Sequence, residues 1–351
     1  MPSFLQRRSP FGILSTTPPY DFSGAEADEE KEHEEASSKV CPVRIGITSS
    51  VGTATLTRPA TSNEDPSPQD IPVGARLLYF WQTWEKYKVD PFVLQVLQVG
   101  YQIPFVTEPP TSPIPVEFPS YLGNQEKFLA LEEAVLEMLR KRAIEEVSEV
   151  KEGFYNRLFL VKKATGEWRP VLDVSRLNVF VQKTKFSMQT TQSVLSSIQR
   201  NDWMVSMDMR DAYFHIPIHQ ESRPFLRFVF NNKVYQFRAL CFGLTTAPQV
   251  FTRVLAPLAK IAHLAGIRII LYLDDWLILA SSLEEVLRAR EFIMTLAKEL
   301  GILLNREKSQ LKPKQIITYL GMQINWVSSA QKRIDKFLTL LGKFVSEELP
   351  A

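Results

Sequence analysis

The chain has 351 residues, 45% of them hydrophobic, and its net charge of +2 divides into −9 over residues 1–150 (13 Lys and Arg against 22 Asp and Glu) and +11 over residues 151–351 (28 against 17). So much apolar content excludes a wholly unfolded chain, and the basic second half suits a partner with a phosphate backbone. Two widely separated cysteines, Cys41 and Cys241, exclude a disulfide framework or zinc cluster and fit a reducing intracellular setting, while no apolar run is long enough for a membrane span or follows Arg7 and Arg8 as in a signal peptide.

Residues 1–73 mix Pro, Ser and Thr with the acidic run Glu26–Glu35. Such a composition buries too little apolar surface to offset the entropy of ordering, and a disordered tail is expected. From 74 to 119 the pattern changes. Leu77, Leu78, Tyr79, Phe80, Trp81 and Trp84 suggest one short apolar helix and Pro91–Leu97 a second, opened by Asp90 as cap with Pro91 at the first helical position. Core packing explains these aromatics more cheaply than base stacking does. Pro104–Pro119 reads as an extended, proline-rich connector. Gln125–Val150 spaces Phe128, Leu131, Val135, Met138, Leu139 and Val147 near the helical period, with Glu and Lys opposite, as an amphipathic helix laid on a sheet.

Arg157–Asp173 reads as two strands around Thr165-Gly166. Its cations can close over a triphosphate, Lys as a point charge and Arg as a bidentate fork, or simply decorate an exposed hairpin. Phe186–Gln199 is predicted helical and leads into a strand, Trp203–Met207, that turns at Asp208. His215 and His219 frame Ile216-Pro217-Ile218 without the further ligands a zinc site needs. Phe225–Phe230 and Val234–Arg238 alternate around Asn231-Asn232 as a second hairpin. Thr245 or Thr246 with Pro248 opens a long helix to about Ala265, stopped by Gly266. Ile267–Leu273 and Trp276–Ala280 are short apolar runs on either side of Asp274-Asp275, two strands with the aspartate pair at the hairpin tip. Adjacent carboxylates at a turn are either a solvated tip or, joined by Asp208 from a neighbouring strand, a site for two hard divalent cations suited to in-line displacement at phosphorus. Glu284–Leu300 is a second covering helix ended by Gly301. Lys308 follows, then the hairpin strand Ile317–Ile324 and a last helix about Ala330 to Glu347.

In order, Asp208-Met209-Arg210-Asp211-Ala212-Tyr213, Phe242-Gly243-Leu244-Thr245-Thr246-Ala247-Pro248, Tyr272-Leu273-Asp274-Asp275 and Tyr319-Leu320-Gly321 resemble the palm motifs of reverse transcriptases. Within that family, Asp211–Ile218 and Tyr272–Leu277 are most similar in wording to the DIRS-type retrotransposons, which encode a tyrosine recombinase. The resemblance implies an α+β right-hand polymerase, with fingers and palm over 120–327 and the start of a thumb over 328–351. It implies copying of an RNA or DNA template from a primer with deoxynucleoside triphosphates, with no membrane involved. Asp208, Asp274 and Asp275 would then hold two Mg²⁺ ions, for which Mn²⁺ can substitute. Lys163 and Arg169 would grip the triphosphate, with Lys162 the alternative to Lys163 because the turn differs in length from the retroviral form. By the same resemblance, Asp211 and Ala212 line the nucleotide pocket through their backbone amides, Tyr213 crowds the sugar 2′ position, and the Phe242 loop lies under the nucleotide. Retroviral enzymes carry Pro-Gln where this chain has Cys241-Phe242. Lys308 resembles the lysine proposed to protonate the leaving pyrophosphate, and Tyr319, Leu320 and Gly321 resemble the primer grip. RNase H and recombinase regions are expected elsewhere in the element.

Two other readings compete. One is a truncated remnant of the polyprotein that binds nucleic acid without turnover. The other is an RNA-dependent RNA polymerase, which shares the palm and against which Tyr213 argues.

Overall fold

Strand pairing decides whether Asp208 can meet Asp274 and Asp275. The computed structural model describes residues 70–118, 121, 123–148, 152–162, 166, 168–187 and 191–325. Of the tail expected over 1–73, residues 1–69 lie outside the described residues, as do Lys163 and the helix expected near Ala330–Glu347, while Val73 at its end is buried in the core.

After a 3₁₀ turn at Arg76–Tyr79 come α1 (Trp81–Lys86) and α2 (Pro91–Val99). Asp90 accepts from the Phe92 N–H, and Pro91 sits in the first turn, where its missing N–H costs nothing. Leu77, Trp84, Val93 and Leu97 are fully buried, so this segment packs into the core. Next, α3 (Gln125–Arg140) is capped by Asn124, whose side chain accepts from the Lys127 N–H. The helix expected as far as Val150 stops earlier. Arg142 takes a left-handed φ of 52°, and the chain turns into β1 (Ile144–Glu146), whose backbone groups are needed for pairing elsewhere.

β2 (Arg157–Lys162) and β3 (Trp168–Asp173) form the expected hairpin, followed by α4 (Ser175–Asn178). The helix expected over Phe186–Gln199 is only α5 (Thr191–Ser196). β4 (Trp203–Met209) comes next, then β5 (Arg227–Phe230) and β6 (Lys233–Phe237). Asn231 and Asn232 turn β5 into β6 with both φ positive, 51° and 59°, the geometry that matches strand twist in a two-residue hairpin. α6 (Ala247–Leu264) precedes β7 (Arg268–Tyr272) and β8 (Asp275–Ala280). α7 (Leu283–Glu299) starts at Ser282, which accepts from the Glu285 N–H. The described chain ends with β9 (Leu304–Lys314), β10 (Ile316–Tyr319) and β11 (Met322–Asn325).

The central sheet has the order β7-β8-β4-β9, all neighbours antiparallel. A second sheet, β1-β6-β5, and the hairpins β2-β3 and β10-β11 complete the set. Both faces of the central sheet are covered. Val205, Met207, Trp276 and Ile278 point into the main core with α6 and α7, while Met204, Leu277 and Leu279 point into a second core with Val194, Ile317, Tyr319 and Ile324. Period-two alternation along each strand accounts for the division.

Candidate active site

Asp208 lies at the end of β4 with Asp275, the first residue of β8, as its register partner. Residues opposite one another in a ladder point to the same face. Asp208 therefore shares a face with Met204, and Asp275 shares it with Leu277 and Leu279, on the side of the β10-β11 hairpin. Asp274 is brought in by the turn: Tyr272 pairs with Asp275 across Leu273-Asp274, and the Met209 N–H donates to the Asp274 carbonyl at 2.9 Å. Leu273 holds a left-handed φ of 52°, a strained value for a branched residue that surrounding structure has to enforce. The fully buried Trp276 does so in part, its indole N–H donating to the Leu273 carbonyl at 3.2 Å.

Burial raises the pKa of all three carboxyl groups. Asp275 is pushed up to about 6, first by burial and then by the charges of Asp274 and Asp208. The Lys308 ammonium opposes the shift at all three, and Arg169 opposes it at Asp274. Lys308 reaches the site through an irregularity in β9. Ser206 pairs with Gln310 but Asp208 pairs with Asn305, so Arg306–Ser309 bulge out beside Asp208. Within the bulge the Ser309 hydroxyl accepts from the Asp208 N–H at 3.0 Å, and the Asn305 side chain helps lower the Asp208 pKa. Ser309 and Asn305 were not singled out from sequence. Their signal is the polar run Asn305–Ser309 in the middle of a strand.

Three carboxylates with oxygen donors only are the right chemistry for a hard divalent cation. Among the described residues, no three His, Cys, Asp or Glu side chains form a ready-made metal cage. An open donor set fits Mg²⁺ in particular, which takes one or two carboxylates and completes its shell with water and substrate phosphates.

A second group of predicted residues meets beside the first. The Arg169 guanidinium lies over the Phe242 ring at 5.3 Å from its centroid, and Phe242 packs on Tyr213 at 4.8 Å. Phe251 of α6 backs Tyr213 at 5.2 Å. The Phe242 loop keeps the close approach that its glycine predicts. Gly243 has φ 93°, and a Cβ there would stand 2.9 Å from the Leu172 carbonyl oxygen. Asn178 clamps the loop, donating to the Gly243 carbonyl at 2.8 Å and accepting from the Thr245 N–H at 3.0 Å. Cys241 is buried, with its thiol pushed up to about 12, and is inert in this loop.

The remaining predicted residues are more scattered. Asp211 adopts a left-handed conformation ahead of a 3₁₀ turn, Ala212–His215, and pairs with Lys141 at 3.0 Å. Lys162 ends β2 with its ammonium over the Trp168 ring. Tyr319 is buried and donates its hydroxyl to the Asp275 carbonyl at 3.0 Å, while Leu320 and Gly321 form the β10-β11 turn.

The model of the family described as Reverse transcriptase (RNA-dependent DNA polymerase) matches residues 161–324. Among relatives, the genome polyprotein of Petunia vein clearing virus (isolate Shepherd) is 26% identical over 161 residues, 46% of this chain and 7% of that polyprotein. The Gag-Pol polyprotein of Avian leukosis virus subgroup A is 28% identical over 178 residues, 48% of this chain and 11% of its own length. The Transposon Tf2-3 polyprotein of Schizosaccharomyces pombe is 25% identical over 186 residues, 52% and 14% respectively. The chain thus spans a small fraction of these curated relatives. Of solved structures, a foamy viral protease-reverse transcriptase in complex with double-stranded DNA aligns with TM-score 0.55 at 19% identity, over 78% of this chain and 51% of that one. Another, in complex with an RNA/DNA hybrid, gives 0.53 at 19% identity over 81% and 41%. The fold is reverse transcriptase-like, residues 161–324 match the reverse transcriptase family model, and the similar proteins are polyproteins of viruses and of a transposon.

Proposed function

We propose that this chain is the RNA-directed DNA polymerase of a DIRS-type retrotransposon, with fingers and palm over residues 120–327, joining a primer 3′-hydroxyl to the α-phosphorus of a deoxynucleoside triphosphate. The observation that carries the reading is the register pair Asp208–Asp275, with Asp274 tied alongside by the Met209 N–H. Asp208, Asp274 and Asp275 would hold two Mg²⁺ ions. When bound, the ions lower the cost of the attacking alkoxide and of the leaving pyrophosphate charge. Arg169 neutralises triphosphate charge from the β3 side, with Lys163 or Lys162 as its partner from the hairpin tip. Asp211 and Ala212 present backbone amides to the same phosphates, Tyr213 on its Phe242 and Phe251 backing excludes a 2′-hydroxyl, and Lys308 delivers the proton to pyrophosphate. Foamy viral protease-reverse transcriptases of similar fold bind double-stranded DNA and an RNA/DNA hybrid, which supports a template-primer duplex as the partner. Tyr319, Leu320 and Gly321 would steady the primer end.

The test is primer extension on RNA and DNA templates by the full chain with Mg²⁺. Asp274→Asn should lower incorporation at least about a hundredfold while leaving template-primer affinity nearly unchanged. Undiminished incorporation by that variant sinks the assignment of the aspartates. A wild-type chain that binds template-primer but incorporates nothing is instead the non-catalytic remnant.

A further inference from the structure

The nucleotide-binding turn is held from outside the matched domain. Asp211 has φ 47° and ψ 47°, a left-handed conformation uncommon for a residue with a Cβ, which neighbours have to support. Its carboxylate is gripped by Lys141 at 3.0 Å, the residue just past the end of α3, upstream of residues 161–324. Both side chains are about three-quarters covered, each at 24% exposure, so this pair is better shielded than an ordinary surface ion pair. The other charges facing it are Glu137, 3.7 Å from the Lys141 ammonium, and Arg210, 3.8 Å from the second Asp211 oxygen.

What makes the pair geometrically determined is a third segment. Consecutive amides of Gly74 and Ala75 donate to the Lys141 carbonyl and to the Phe214 carbonyl, each at 2.7 Å. One dipeptide therefore fixes the spacing between the residue that grips and the turn that is gripped. Gly74 is pressed so close that a Cβ would run into the Arg142 carbonyl. The next residue, Arg76, is buried and donates to the Gly301 carbonyl at 2.7 Å, beside Trp84, whose indole donates to the Leu300 carbonyl at 2.9 Å. From the other side the Leu303 N–H donates to His215 Nε2 at 3.0 Å, and burial lowers the His215 pKa to about 4, so the ring is the neutral acceptor this bond needs.

We propose that Lys141 is a positioning residue for nucleotide binding, acting through the Asp211 carboxylate to hold the Asp211–Tyr213 turn in its left-handed shape, with Gly74 and Ala75 as the strut that sets its distance. The inference rests on the polymerase reading for its kinetic consequence, but not for its structural one. Two measurements on the full chain test it. In steady-state incorporation of dTTP on a primed oligo(A) template, Lys141→Met should raise KM for dTTP about tenfold with kcat within about twofold, and Lys141→Arg should recover most of the loss. In hydrogen exchange, amides of residues 209–216 should exchange faster in Lys141→Met than in wild type or Lys141→Arg, with protection of α6 and α7 unchanged. An unchanged KM, a loss that Lys141→Arg fails to recover, or wild-type exchange of 209–216 overturns the proposal. Should the wild-type chain incorporate nothing, the polymerase reading falls, and the exchange comparison alone still decides whether Lys141 holds the turn.

Discussion

Burial and two neighbouring carboxylates hold the Asp275 pKa near 6, above the usual value near 4. Its folded pKa exceeds its unfolded one, so its contribution to stability is fully present below about pH 4 and is lost as pH rises through about 6. In EDTA, Asp275→Asn should therefore melt higher than wild type at pH 8, by about 2–4 °C for each kcal/mol relieved, with the difference vanishing toward pH 4. A thermal-melt series of both proteins checks this; a pH-independent difference rejects it. Mg²⁺ should raise the wild-type melting temperature more at pH 8 than at pH 5, because the ions bind the ionised carboxylates, and Asp208→Asn should abolish most of that gain. Tyr213→Ala should admit ribonucleotides, measured as the ratio of rUTP to dTTP incorporation, at a stability cost of about 3 kcal/mol from the lost packing on Phe242 and Phe251. At this scale residues in short motifs stood out from sequence, and the structure brings Asp208 beside Asp274 and Asp275, and Arg169, Tyr213 and Phe242 together. Ser309 and Lys141 did not stand out, because a serine in a polar run and a lysine after a helix take their meaning from partners far away in sequence.

Elements were read well where the signal is local. Asp90-Pro91 opens a helix, Asn231-Asn232 turns a hairpin, and Gly266 and Gly301 follow the ends of α6 and α7 at left-handed φ. They were misread where pairing decides. The pattern of Gln125–Val150 looks helical throughout, yet Ile144–Glu146 are claimed by β6, and the bulge at Arg306–Ser309 exists only in relation to β4. The Phe242 loop offers a test at this scale. Gly243→Ala should cost about 2 kcal/mol, since it adds both a disfavoured φ and a contact with Leu172, and Asn178→Ala should cost about 1–2 kcal/mol by leaving the Gly243 carbonyl and Thr245 amide without their partner. Denaturant melts would measure both. A neutral Gly243→Ala would mean that the loop does not hold its close approach to β3.

Across the whole molecule, the order of four motifs gave the fold class, whereas the work of residues 70–101 was hidden. They read as two short helices whose aromatics pack in the core, but nothing in their pattern shows that their backbone is joined to the turn after Asp208 through Phe214 and Pro217, or that the Arg76 and Trp84 side chains bond to the end of α7. The opposite charges of the two halves belong to this scale too. Template-primer affinity should fall steeply and linearly on a log-log plot against salt. The β10-β11 hairpin has one further consequence. Among the described residues, three of its side chains, Ile317, Tyr319 and Ile324, are buried against Met204, Ile270, Leu277 and Leu279 of the sheet with Val194 and Ile198, and the Tyr319 hydroxyl adds one bond, apart from the much larger helix-covered core. So small a satellite can breathe as its own cooperative unit, lifting and reseating while the rest of the protein stays folded. Each such excursion breaks the bond to the Asp275 carbonyl. On the polymerase reading proposed above, that motion would loosen the hold beside Asp274 and Asp275 between one nucleotide and the next without disturbing the strands that carry them.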